Sequence, residues 1–235
     1  MRNILSVFLS VLLVGALLAF AGCGGRSDSG ETASPDAGQT QEAEVSAEES
    51  DAKNWSDGSA DITYYIADTD DGVEAYLVIT NQTDEDFAIS LEAYPKDASG
   101  ADLSESPGWV NVNLIAPGRT TLYEMQLPVD NAEAVDMLEF KPNYGSSAFL
   151  DCTPDMDVKS TPDETGVAVE VTNNGEKIAQ GVYAYVLFFD ASGKMIGESK
   201  TRIGNVEAGA SGSGTVAFDG DFARFELYIV GQYGL

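Results

Sequence analysis

Histidine is absent from all 235 residues, cysteine occurs only twice, and 12 basic residues face 39 acidic ones. Without histidine the chain lacks the commonest general base and the commonest metal ligand, which narrows the enzyme classes open to it. The formal charge of −27 makes nucleic acid a poor partner, because phosphate contacts need cationic groups. It suits a solvated, self-repelling surface instead. Helical i, i+3, i+4 spacing with caps is also missing. Long apolar runs are scarce, and one exists: ILSVFLSVLLVGALLAF, residues 4–20.

That run is short for a bilayer span, which needs about 20 apolar residues. It follows Arg2 and ends in small residues, Ala21-Gly22, directly before Cys23. A basic start, an apolar stretch and a small-residue cut point describe an export signal, residues 1–22. The run ending FAGC resembles a bacterial lipoprotein lipobox, with Phe20 where Leu is usual. The resemblance implies a diacylglyceryl group on the Cys23 thiol, removal of the preceding peptide and acylation of the new N-terminus. Two acyl chains hold stably where one is marginal. The expected location is therefore the extracytoplasmic face of a bacterial cell membrane. With Cys23 taken by lipid, Cys152 has no partner for an intrachain disulfide. Its setting, AFLDCTP, gives it the strand parity of Ala148 and Leu150 and predicts a buried, inert thiol.

Residues 23–60 follow the anchor as Gly, Ser, Ala, Thr, Glu and Asp with almost no apolar content. Such a segment cannot bury enough surface to offset its ordering entropy, and it reads as a disordered acidic linker. From Asp61 the pattern changes to period two. Val73, Ala75, Leu77 and Ile79 alternate with Glu74, Tyr76, Val78 and Thr80; Phe87, Ile89, Leu91 and Ala93 form a second row, and Thr121, Tyr123, Met125 and Leu127 a third. Gly, Pro, Asn and Asp clusters separate these short runs, as in an all-β sandwich.

The rows recur in order. YLVITNQT (76–83) matches AVEVTNNG (168–175), an apolar strand ending in DASG follows at 97–100 and again at 190–193, then LIAPG (114–118) parallels NVEAG (205–209). Two tandem β-sandwich domains, 61–145 and 146–235, account for this most simply. The second set, VTNNGE, YVLFFDASGKMIG, VEAG and FELY, resembles the FxLYD domain, an immunoglobulin-like module of bacterial surface proteins and lipoproteins. Phe225, Glu226, Leu227 and Tyr228 fit its namesake motif, with Ile229 where Asp is expected. The resemblance implies an immunoglobulin-like sandwich at the cell envelope and carries no catalytic residue.

Candidate sites are few. In DTDDGVE, Asp68, Asp70 and Asp71 could offer oxygens to calcium, but no distal bidentate Glu follows at the spacing a calcium loop needs, and Asp71-Gly72 reads as a hairpin turn. DGD (219–221) reads as a turn for the same reason. GASGSG (209–214) precedes a strand pattern with no Lys nearby, so it reads as a flexible β connection rather than a phosphate loop. In GVYAYVLFF both strand faces are apolar, Val182, Ala184, Val186 and Phe188 on one and Tyr183, Tyr185, Leu187 and Phe189 on the other. A strand with one wet face should alternate with polar residues. The second face is therefore either covered by a neighbouring domain or loop, or exposed as a Tyr-rich patch for a protein or glycan partner. Trp109 is a lesser candidate of the same kind. No metal or cofactor is implied, and the lipidation site Cys23 is the one modified residue. The expected function is a non-enzymatic binding or structural module of the envelope. The alternatives are a ligand-sensing or solute-binding accessory lipoprotein and, less well supported, a carboxylate-based hydrolase.

Overall fold

The computed structural model describes residues 51–145 and 149–233; the export signal, Cys23 and linker residues 24–50 lie outside them. The chain is all-β. Period-two rows become strands because alternate side chains then bury on one face. In chain order these are β1 (Lys53–Ser56), β2 (Ala60–Thr69), β3 (Gly72–Asn81), β4 (Phe87–Lys96), β5 (Gly108–Ile115), β6 (Thr120–Leu127) and β7 (Met137–Gly145). Then come β8 (Leu150–Asp151), β9 (Met156–Asp163), β10 (Gly166–Asn173), β11 (Ala179–Phe189), β12 (Met195–Val206), β13 (Ser211–Ala217) and β14 (Arg224–Tyr233). Among the described residues no helix is long and apolar enough to cross a membrane.

The described strands form four antiparallel sheets, ordered β1-β2-β3-β6, β5-β4-β7, β13-β10-β9 and β12-β11-β14-β8. The first two enclose one core, where Leu77, Ile79, Ile89, Leu91 and Leu138 are almost fully buried. The other two enclose a second, built on Val167, Val171, Val182, Val186 and Phe188. A third apolar cluster joins the halves: Tyr65, Tyr76 and Leu122 from one sheet meet Leu187, Phe189 and Met195 from another. All described residues belong to one compact unit.

The repeated landmarks are built alike. Asp97 Oδ1 accepts from the Ser99 N–H, the Ser99 hydroxyl and the Ala101 N–H at 2.8, 2.6 and 3.0 Å. Asp190 Oδ1 accepts from Ser192 N–H, Ser192 hydroxyl and Lys194 N–H at the same three distances. These bonds hold both carboxyls below the usual carboxylate range, the serine hydroxyl being the largest cause. Gly100 and Gly193 take φ of +81° and +86°, which closes each turn. The Asn of each T-N pair is buried without exposure. Asn81 donates to the Glu85 and Ile115 carbonyls at 2.8 and 2.9 Å, and Asn173 to those of Lys177 and Val206 at 2.8 and 2.9 Å.

Three details differ from the sequence pattern. The linker expected to run to residue 60 ends earlier: β1 pairs with β2, and Trp55 packs edge-on to Phe140 with centroids 5.6 Å apart. The β2 ladder, the Trp55 ring and the Lys53 bonds to the Val135 and Asp136 carbonyls hold this short strand on the sheet. GASGSG is no loose connection; residues 211–217 are the edge strand β13. A Cβ at Gly212 would lie 2.6 Å from Ile203 Cγ2, and one at Gly214 would lie 2.9 Å from Thr201 Cγ2, so these glycines let β12 and β13 approach closely. Cys152 is fully buried, but by a different route from the parity expected: β8 stops at Asp151 and Cys152 opens a 3-10 turn, while Leu150 stays 40% exposed. Burial, helped by the neighbouring Asp151 charge, pushes the thiol up to about 12.

Candidate functional site

Strand β11 sits at the centre of its sheet, between β12 and β14. Its inward row Val182, Ala184, Val186 and Phe188 fills the second core. Its outward row changes character along its length. Phe189 and Leu187 are fully buried against the first half of the molecule, and the Tyr65 ring meets Phe189 edge-on at 5.5 Å. Tyr185 and Tyr183 are only half-buried. The contact between the two halves thus covers one end of the row and opens at the other.

The opening is a cleft of about 280 Å³. The Tyr183 and Tyr185 rings stand side by side in it, centroids 6.2 Å apart and tilted by 43°. Edge strand β6 supplies Thr121 and Tyr123, the segment around β8 supplies Phe149 and Asp151, and β14 supplies Gln232. The local backbone is shaped for this. Register slips on β11 between Ala179 and Tyr183 against both neighbours, and Gly181 takes φ of +59° within the bulge. A Cβ there would meet nothing within 4 Å, so the bulge faces open space and turns Gln180 into the lining. Asp151 is the one carboxylate among the described lining residues, and its oxygens are engaged. Oδ1 accepts from the Thr153 N–H at 2.8 Å and Oδ2 from the Ala116 N–H at 3.4 Å.

Charged groups border the cleft deeper in the junction. Lys200 on β12 bonds Glu124 on β6 at 2.6 Å and places its Nζ 5.3 Å from the Tyr185 ring centroid. Glu198, two residues along β12, has Oε1 buried without a hydrogen-bond partner. Desolvation, reinforced by the Glu124 charge, raises Glu198 to about 7. On the facing strand Tyr76 donates to Glu74 at 3.0 Å. On the same side as Phe189, Arg224 of β14 pairs with Glu226 at 2.5 Å and lies 3.6 Å over the Phe189 ring.

A second hollow, about 660 Å³ and wider, includes Asp51, Lys53, Asp68 and Lys194 but no aromatic ring. Several of its polar groups are used within the fold: Lys53 donates to the carbonyls of Val135 and Asp136, Asp68 accepts from the Ala132 N–H, and Asp51 from the Met195 N–H.

Of the residues singled out in the sequence, Tyr183 and Tyr185 line the cleft together. Trp109 stands apart, 57% exposed, opposite Glu92 on the outer face of the β5-β4-β7 sheet. Asp70 and Asp71 form the two-residue loop of the β2–β3 hairpin, whose strands close at Thr69 and Gly72. No group of three or more carboxylates or thiols among the described residues is arranged to hold a metal ion. The lipidation site Cys23 lies outside the described residues. Sequence reasoning missed Tyr123, Phe149, Gln180 and Gln232, because lining residues from four distant segments share no local pattern. It also missed the Glu124–Lys200–Glu198 cluster, whose members are single charges among many. No family model matches the chain, and no curated protein sequence matches it.

Proposed function

We propose that this chain is a non-enzymatic binding module of the bacterial cell envelope, held by lipid on Cys23 at the extracytoplasmic face of the membrane. The acidic residues after Cys23 form its stalk. The two sheet pairs are two copies of one immunoglobulin-like unit of the FxLYD kind, fused through the outward face of β11. The observation that carries the binding role is the cleft where that face opens, with half-buried tyrosines beside a bulged central strand. A hydrolase acting on glycosidic bonds uses two carboxyls flanking the scissile bond. Asp151 is alone among the described lining residues and is occupied by backbone N–H groups. The export-signal pattern of residues 1–22, directly before Cys23, supports the tether.

Fractionation of cells carrying the wild-type chain or Cys23→Ala tests the tether. The wild type is expected in the membrane pellet until detergent is added, and the variant in the soluble fraction. Cys23→Ala protein that stays on membranes through detergent-free washing overturns the lipid anchor.

A further inference from the structure

We propose that the cleft between the two halves binds a neutral oligosaccharide, with one sugar ring seated on the Tyr183–Tyr185 pair. This rests on the binding-module reading above and names its ligand class. A sugar ring is amphipathic: its C–H face stacks on an aromatic ring, and its hydroxyls form hydrogen bonds around the rim. The cleft offers both kinds of contact. Two tyrosine rings 6.2 Å apart make a strip rather than a single platform. The amide of Gln180 and hydroxyls at Thr121 and Thr153 surround it.

Charge narrows the ligand further. No Lys or Arg is among the described lining residues, and a chain of net charge −27 repels anions, which disfavours acidic sugars and phosphates. A cationic ligand would seek an aromatic face backed by a free carboxylate. Lys200 already occupies that position beside Tyr185, and Asp151 is bonded to the backbone. What is left is an uncharged molecule that both stacks and hydrogen-bonds.

Shape suits a small molecule. Ligand sites are concave clefts of about 300–1,000 Å³, and this cleft encloses about 280 Å³ between walls that are half polar and half apolar. It holds a short piece of a slender chain. The Gly181 bulge, with open space where a Cβ would stand, lets such a chain pass close to the backbone of β11.

The test uses the full-length chain in detergent micelles on an array of neutral, acidic and cationic oligosaccharides, with titration calorimetry on the oligosaccharides retained. Tetramethylammonium and an unrelated peptide serve as the cationic and protein-like probes. Retention of a neutral oligosaccharide is expected, with Tyr183→Ala weakening it about tenfold, as loss of one aromatic contact does. Tyr183→Trp keeps a stacking face and is expected to retain binding, which separates a lost platform from a damaged fold. Gln180→Ala is expected to weaken binding with an unchanged melting temperature. Absence of any neutral oligosaccharide at millimolar concentration overturns the proposal, as does binding that both Tyr183→Ala and Gln180→Ala leave intact. Binding of tetramethylammonium or the peptide in place of sugar, lost in Tyr183→Ala, overturns the ligand class and leaves the binding module standing. A failed tether shows instead in the Cys23→Ala fractionation.

Discussion

Asn81 and Asn173 are the two buried polar side chains among the described residues. Each lies in a core and bonds two carbonyls from different segments, so that one side chain ties a strand end to the loop after it and to a more distant strand. Asn173 also accepts from the Tyr233 hydroxyl at 3.1 Å. Replacing either by Ala leaves buried carbonyls without donors, and a loss of about 2–3 kcal/mol is expected in urea unfolding; a loss below about 0.5 kcal/mol contradicts the role given to them. The T-N repeat marked both positions in the sequence, but burial was not legible there, since Asn is ordinarily a surface residue. Glu198 works in the opposite sense. Its folded carboxyl titrates near 7 against an ordinary 4.5, so the folded state holds the proton more tightly than the unfolded one. Its burial therefore costs little below pH 4.5, costs progressively more as pH rises through that window, and costs fully above pH 7. Asp57, Asp97, Asp163, Asp190 and Glu139 are shifted below their ordinary values, so they favour the fold at neutral pH and lose that contribution as pH falls below the ordinary carboxylate range. The melting temperature is expected to peak in mildly acid buffer and to decline toward pH 8. Glu198→Gln is expected to raise it at pH 8 and to flatten that decline; an unchanged profile in the variant would exclude Glu198 as the cause.

Comparison of β4 with β11 shows how one kind of element serves two ends. Both are the central strands of their sheets and both run into DASG. Strand β4 alternates cleanly, with Ile89, Leu91 and Ala93 buried and Ser90, Glu92 and Tyr94 on its outer row. Strand β11 places Leu187 and Phe189 on that row and is covered there. The doubly apolar pattern was legible in the sequence, whereas what covered it was not, because the partner face on β2, β3 and β6 is scattered among polar residues. The answer combines both possibilities: the row is covered at Leu187 and Phe189 and half-open at Tyr185 and Tyr183. Glycine in β13 was misread for a related reason. Gly212 and Gly214 look like loop residues in a string, yet they share the parity of inward positions and replace side chains with close packing. Gly214→Val should force β13 off β12 and destabilise the chain by about 1–3 kcal/mol. Faster hydrogen exchange along β10 and β13 checks this, and wild-type protection there would refute it.

At the scale of the whole molecule, the apolar junction makes two cores behave as one unit. Its centre is aromatic and aliphatic, its margins are ion pairs, and its open end is the cleft. The outer faces of the remaining sheets are more polar, with Glu170 and Thr172 on β10 and Ser90 and Glu92 on β4, although Trp109 stands exposed beside Glu92. Leu187→Asp puts a charge in the junction; calorimetry is expected to show one unfolding transition for the wild type and two for the variant. One transition at the wild-type temperature would mean that the junction contributes little. On the proposed reading the chain is a tethered body that meets its ligand at the cleft, and the most direct measurement asks whether the cleft is where contact occurs in living cells. Phe149 lines the cleft and Trp109 is the exposed aromatic residue on a distant sheet face. Each is replaced in turn by the photo-reactive amino acid p-benzoylphenylalanine, and intact cells are irradiated. A mass-shifted adduct is expected from the Phe149 position and none from the Trp109 position; adducts at Trp109 with none at Phe149 would place recognition elsewhere and contradict the account.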